Sequence, residues 1–398
     1  MNKRIGYVLS GIMILLVSGM VYAWSVFSSS IAEEFSAWSK ATLSITFTTV
    51  MIFFCLGGLV GGFLSKKIKP SFYIWASAVL FFLGFMLSSA CQNAIMLYIG
   101  FGVLCGFASG LSYNGVISSI SKWFPSHQGL ISGILLMGFG LSSFIVGKLF
   151  QVLTEMLSWR AIFKIFGIFS LLLFALLGFF IKKPQENVCS PSKVNKETRD
   201  CSTREMMKKP EFYLYFIWAF VMSASGLALV SQASGLVVAT TVLAPSMVAT
   251  LVGVISIFNG VGRVLIGSVY DKKGSRTVLY LIDVLFIITG VILCIALKCK
   301  SPIILCLGFM IGGIAYGGVT CTNAAYIGEV FGQKYYPENY SVINMNLLIA
   351  SFGSTIAGFL LDKTNSYLSI VFLILSLSFI GLFLSILVLR KKSKHLSL

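Results

Sequence analysis

The chain alternates long apolar stretches with short polar ones, and the lengths of the apolar stretches carry the first inference. A helix crossing a hydrocarbon core of about 30 Å needs about 20 mostly apolar residues. Twelve stretches meet this requirement, at 5–31, 41–65, 71–91, 94–121, 129–153, 160–181, 212–238, 246–270, 277–297, 302–330, 338–361 and 366–389. No ten-residue inside/outside alternation of the kind that marks a membrane strand is present. Helices also satisfy their backbone groups internally, as a bilayer requires. The pattern predicts an all-α membrane protein with twelve transmembrane helices.

One long polar segment interrupts the series. Residues 182–211 contain Lys-Lys-Pro, Ser-Pro-Ser and mixed charge, so they read as a solvated linker. The expected organisation is a six-helix bundle over 1–181, a linker over 182–211, and a second six-helix bundle with a basic tail over 212–398. Two landmarks repeat between the halves. Gly62-Phe-Leu-Ser-Lys-Lys is matched by Gly267-Ser-Val-Tyr-Asp-Lys at an offset of 205, and Trp123-Phe124 by Val330-Phe331 at an offset of 207. Nearly equal offsets argue for a duplicated six-helix unit, a common build for secondary transporters.

Composition narrows the class. Of 398 residues, 57% are hydrophobic and only 11% charged, too few to coat soluble domains of this size. The net charge of +17 suggests nucleic acid until the positions are read. With both termini cytoplasmic, 22 basic residues face inward and six face outward or sit at the outer boundary. That asymmetry is membrane orientation, so no nucleic-acid partner is expected. The stretch from Ile5 to Ile31 is too long for a secretory leader. The nine cysteines are scattered without metal spacing, and the two histidines, His127 and His395, lie outside the spans. No Walker motif, metal set or nucleophile-base pair appears. The expectation is a non-enzyme without cofactor or metal, in the plasma or bacterial inner membrane, working as a monomer.

Short motifs point to a family. Gly267-Ser-Val-Tyr-Asp271-Lys272-Lys-Gly274-Ser-Arg276 resembles the cytoplasmic loop motif of the major facilitator superfamily, with Lys66 in place of the acid in the first-half copy. Within it, several stretches together resemble the oxalate:formate antiporter and monocarboxylate transporter group. They are Tyr22-Ala-Trp24-Ser-Val-Phe, Gly110-Leu-Ser-Tyr113-Asn-Gly-Val, Lys122-Trp-Phe-Pro125-Ser-His-Gln-Gly129-Leu-Ile-Ser-Gly133, Ser158-Trp-Arg160, Phe212-Tyr-Leu and Asn259-Gly-Val-Gly-Arg263. The resemblance implies two six-helix bundles working by alternating access. It implies a conformational-switch loop at Gly267, Asp271, Lys272, Gly274 and Arg276, and a substrate-binding arginine at Arg263. Tyr22, Trp24, Tyr113 and Tyr316 match pocket-lining segments.

Arg263 is also informative by itself. A guanidinium inside a span costs at least about 2.5–3.5 kcal/mol, so it needs a partner or water. Its planar fork suits a carboxylate; a structural arginine bound to helix carbonyls is the other reading. Asn259 lies one turn before it on the same face, and Asn344 and Asn346 are polar at membrane depth. The antiporter's second cation, a lysine, has Leu347 at its matching position, and no lysine occurs in 340–361. A single buried cation favours a monocarboxylate (formate, lactate or pyruvate) over oxalate, with protons or a counter-anion as the coupling partner. An exporter of drugs or other small molecules with the same fold is the rival reading. Of the other charges at membrane depth, Lys148 is expected to snorkel and Asp283 to serve structure. The paired glycines of span 10, at 312–313 and 317–318, suggest points of bending.

Overall fold

The computed structural model describes residues 2–38, 40–65, 67–182, 200–241 and 245–396. Lys66 and the centre of the linker, 183–199, lie outside the described residues. Helices account for nearly all of the chain, and no strand occurs among the described residues.

The first helix, α1, runs as Asn2–Ser18, a 3-10 turn at Gly19–Ala23, and Trp24–Glu34. It is followed by α2 (Lys40–Leu64) and α3 (Pro70–Ser89). Next, α4 is built from Ala94–Leu97, a π-helical stretch Tyr98–Cys105, and Gly106–Ile120. Helices α5 (Gln128–Thr154) and α6 (Trp159–Leu177) complete the first six. After the single turn Thr203–Met206 comes α7 (Pro210–Thr240). The run Pro245–Cys299 holds α8 (245–273) and α9 (275–299), and α10 is Pro302–Phe331. Helix α11 is broken into Tyr336–Asn344, Asn346–Ala350 and Phe352–Thr364, and α12 is Tyr367–Leu396.

The helix starts follow from local chemistry. Proline opens α3, α7 and α10, where its missing N–H costs nothing. Asn93, Ser158 and Ser301 cap α4, α6 and α10 by accepting an N–H of the first turn. Eleven helices among the described residues are long and apolar enough to cross a membrane. One of them, Thr250–Cys299, has 50 residues, about 75 Å at helical rise and more than twice a hydrocarbon core. Gly274 breaks it, with φ +74 and ψ 178, a conformation that glycine adopts without strain. Among the described residues the eleven long apolar helices therefore make twelve segments long enough to cross.

Two compact units emerge from the packing. One comprises Met1–Pro125, Gly138–Ser192 and Tyr336–Val342; the other comprises Ser126–Met137, Lys193–Tyr335 and Ile343–Leu398. The start of α5 thus groups with the second half of the sequence, and the start of α11 with the first.

The core of the first unit is aromatic, with Phe27 packed against Phe101, Phe150, Phe163 and Phe166. At one end Glu34 accepts bonds from Arg160, at 2.7 Å and 3.0 Å, and from the Trp159 indole at 2.6 Å. The Arg160 guanidinium beside it holds the Glu34 carboxyl below the usual range. Arg160 also donates to the Ser89 carbonyl, tying α1, α3 and α6 together. Lys148 is exposed on α5.

In the second unit, Asp283 of α9 is fully buried. It accepts a bond from the Trp218 indole of α7 at 2.9 Å and one from Ser385 of α12 at 2.5 Å. Asp283 thus joins three helices. Asp283→Ala leaves both donors buried without an acceptor and is expected to cost about 3 kcal/mol; Asp283→Asn, which keeps one acceptor, costs about half as much. Thermal unfolding of the purified variants checks the ordering.

Helix α10 runs unbroken through its paired glycines. Two of them allow close approach. A Cβ at Gly317 would overlap the Asn259 carbonyl oxygen, and one at Gly313 would lie 2.7 Å from that of Ile255.

Candidate functional site

Arg263 sits in a tightly held stretch of α8. On one side, a Cβ at Gly133 of α5 would overlap its carbonyl; on the other, a Cβ at Gly317 of α10 would lie 3.1 Å from its amide nitrogen. Only glycine at both places lets the three backbones meet. The side chain is buried, 7% exposed, and reaches back toward the N-terminus of α8. Its Nε donates to Asn259 Oδ1 at 2.9 Å, and its Nη1 donates to the Leu136 carbonyl of α5. No carboxylate pairs with it among the described residues, and no partner for Nη2 is recorded among them. The guanidinium is therefore oriented by two neutral acceptors but keeps its full charge and one edge of its fork.

The other expected residues of the second unit divide. Tyr316 of α10 packs beside Gly226 of α7, where a Cβ would overlap its ring. Asn344 is buried at the first break of α11. Asn346 is fully buried and committed to structure: its Oδ1 accepts from Ser223 of α7 at 3.2 Å and its Nδ2 donates to the Ile343 carbonyl at 2.5 Å.

In the first unit, Tyr22 and Tyr113 converge. Both rings meet Phe54 and Phe139, with Tyr22 at 5.3 Å and Tyr113 at 5.0 Å from Phe139. Trp24 does not join them. Its indole N–H donates to the Leu43 carbonyl at 3.1 Å and its ring packs 4.9 Å from Phe101, which places it in the bundle core. The 3-10 turn at Gly19–Ala23 separates Tyr22 from Trp24 in direction as well as in sequence.

The loop residues have a defined arrangement. Both oxygens of Asp271 accept amide N–H bonds from the first turn of α5, from Gly129 and Leu130, each at 2.7 Å. A carboxylate there meets the positive end of the helix dipole. Burial pushes the Asp271 carboxyl up, while the two amides and the charge of His127 pull it down. Gly267 and Gly129 lie at a close backbone crossing, where either Cβ would collide with the other's carbonyl. Gly274 supplies the left-handed turn, and Lys272 and Arg276 are exposed. The sequence singled out Asp271 but not its partners, because backbone amides leave no mark in a sequence. No group of three or more His, Cys, Asp or Glu that would hold a metal occurs among the described residues.

The family model described as Major Facilitator Superfamily matches residues 8–352. The chain belongs to that superfamily. It is therefore a multi-pass membrane transporter and not an enzyme. Among superfamily relatives, it is 27% identical over 84% of its length to an uncharacterized MFS-type transporter, YhjX, of Escherichia coli (strain K12), covering 82% of that protein. It is 24% identical to the oxalate:formate antiporter of Oxalobacter formigenes, over 85% of this chain and 80% of the antiporter. It is 26% identical to monocarboxylate transporter 12 of Xenopus laevis, over 77% and 72% respectively. Among solved structures, the superfamily proton:xylose symporter XylE superposes with a TM-score of 0.73 at 16% identity, covering 96% of this chain and 95% of the symporter. At that identity the likeness concerns the fold.

Proposed function

We propose that this superfamily member is a secondary carrier of small organic monoanions, with Arg263 as the residue that binds the carboxylate. The observation that carries the reading is a buried guanidinium held by neutral acceptors, with no acid to neutralise it among the described residues. Such a charge is expensive at membrane depth unless an anion meets it in the working cycle. Two of the relatives are named for formate, oxalate or monocarboxylate transport, which agrees with this chemistry.

Within the first unit, Tyr22 and Tyr113 bring two hydroxyl-bearing rings together, a chemistry suited to an anion with a short carbon body. Asn344 is the remaining polar candidate, whereas Trp24 and Asn346 contribute packing. Leu347 is buried and apolar, so a second carboxylate on the cargo finds no cation there. That favours formate, lactate or pyruvate over oxalate. We read both termini as cytoplasmic, the protein as a monomer in the plasma or bacterial inner membrane, and protons or a counter-anion as the driving partner.

The neutrality of Asn259 yields a test of its own. Asn259→Asp places an acid within hydrogen-bonding distance of Arg263, where it competes with the cargo. The apparent affinity for a monocarboxylate is expected to fall about tenfold, measured as the half-saturating concentration in proteoliposomes. The cargo class is tested by offering labelled formate, lactate, pyruvate and oxalate to the same vesicles, with and without a proton gradient or internal counter-anion. Uptake of monoanions above oxalate supports the reading. Uptake of none of them, together with transport of a cationic drug, refutes it.

A further inference from the structure

Helix α1 changes character in the middle of its span. Its first α-helical piece ends at Ser18, and Gly19–Ala23 forms a 3-10 turn. A 3-10 helix turns about 120° per residue against about 100° in an α-helix. By Tyr22 the side chain has therefore been carried about 80° round from where an unbroken α-helix would put it. That rotation decides whether the Tyr22 ring meets Phe139 of α5, as it does at 5.3 Å.

Hydrogen bonds within a 3-10 turn have poorer geometry than those of an α-helix, so support from outside α1 matters there. It comes from α4. Ser109 and Ser112 stand one turn apart on one face of that helix. The Ser109 hydroxyl donates to the Ser18 carbonyl at 2.7 Å, and the hydroxyls of Ser112 and Ser18 share a hydrogen bond at 2.7 Å. All three serines are fully buried. A serine inside a helix can bond the carbonyl one turn back on its own helix, as Ser112 does to Ala108 at 2.8 Å and Ser88 to Gly84 at 2.7 Å. Ser109 gives its single proton to α1 instead.

Helix α5 closes the other side of the turn. A Cβ at Gly19 would lie 2.6 Å from the Phe139 carbonyl oxygen and 2.6 Å from Ser142 Cβ. Ser142 is as buried as Ser109, but its hydroxyl has no partner among the described residues. Two serines thus flank one turn, the first bonded to it and the second only packed against it.

We propose that Ser109 is a positioning residue of the binding region. Its bond to the Ser18 carbonyl holds the 3-10 turn that aims the Tyr22 ring, and it thereby sets the affinity for cargo rather than the maximal rate. The inference rests on the reading of Tyr22 as a residue the cargo touches.

Ser109→Ala removes the bond and adds no bulk. Hydrogen exchange of the purified full chain, followed by mass spectrometry, reads the turn without any cargo. Amides in 19–24 are expected to change their exchange rate about fivefold, the effect of one neutral hydrogen bond, whereas Ser142→Ala leaves them unchanged. In proteoliposomes, Ser109→Ala should raise the half-saturating concentration for labelled formate or lactate about fivefold, with the maximal rate within about twofold of the parent. Ser109→Thr keeps the hydroxyl and should restore the parent value. Ser112→Ala is expected to act in the same direction and serves if Ser109→Ala folds poorly. The route through Tyr22 is tested by a double-mutant cycle: with Tyr22→Ala already in place there is no ring to aim, and Ser109→Ala should raise half-saturation less than about twofold. Unchanged exchange at 19–24 in the folded Ser109→Ala and Ser112→Ala proteins overturns the proposal. So does a loss confined to the maximal rate, or an equal rise in half-saturation with and without Tyr22→Ala. If the parent carries neither probe, the monoanion reading fails, while the exchange result still decides whether Ser109 holds the turn.

Discussion

Arg263→Gln is expected to lower kcat/KM for monocarboxylate transport by about 100-fold, the scale of losing one partner of a buried, hydrogen-bonded charge pair. Glutamine retains a donor but no charge, so the carboxylate would be left in a low-dielectric site against a neutral amide. Arg263→Lys keeps the charge but loses the fork that reaches Asn259 and Leu136 together, and should recover only part of the rate. The same variants separate binding from scaffolding. No carboxylate depends on Arg263 among the described residues, so its removal strands no buried acid. If the side chain served only to hold α8 to α5, Arg263→Gln would lower the melting temperature and leave the kcat/KM of the surviving protein near the parent value. Paired transport and unfolding measurements distinguish the two.

The second large effect concerns helix packing. A Cβ at Gly110 of α4 would overlap the Phe54 carbonyl oxygen of α2 and stand 2.8 Å from the Gly58 amide nitrogen. Backbone atoms cannot swing aside as a side chain can, so Gly110→Ala must push α2 and α4 apart. A cost of about 3 kcal/mol is expected, at the upper end for overpacking. Gly6→Ala is the control, because nothing lies within 4 Å of its Cβ position. Thermal unfolding of the two variants in detergent should give a clear drop for Gly110→Ala and none for Gly6→Ala. Equal melting temperatures would mean that the α2–α4 contact is looser than the structure has it.

These two residues also show what the sequence made legible. Arg263 stood out because a lone cation in an apolar stretch violates the chemistry of the bilayer, and the violation is visible one residue at a time. The twelve crossings were visible for a similar reason, since length and apolarity are one-dimensional properties. Gly110 stood in the sequence only as the first residue of a family-resembling stretch, and a glycine in a span reads equally as a hinge or as a contact. The glycines of α10 show the ambiguity: the sequence suggested bending, whereas the helix is unbroken and the glycines at 313 and 317 admit α8.

Direction was the property that sequence could not supply. Trp24 and Tyr22 are two residues apart in a stretch that is apolar on every side, so periodicity cannot say which faces the core. The 3-10 turn decides it, sending the indole to the Leu43 carbonyl. Asn346 looked like a ligand because amides are rare at membrane depth, yet its neighbours on α7 and α11 already occupy it. One partner of Arg263 and both partners of Asp271 are backbone groups of α5, and every residue carries those groups. A carbonyl or amide becomes a ligand only through the packing that presents it.

Equilibrium binding addresses the central claim without requiring turnover or a known driving gradient. Labelled lactate and formate would be titrated onto the purified parent protein and onto Arg263→Gln, with oxalate and a cationic drug as competitors. Saturable binding to the parent, displaced by monocarboxylates better than by oxalate and not by the cation, and lost in Arg263→Gln while its melting temperature is kept, is the predicted result. Undiminished monocarboxylate binding by a folded Arg263→Gln protein would contradict the account.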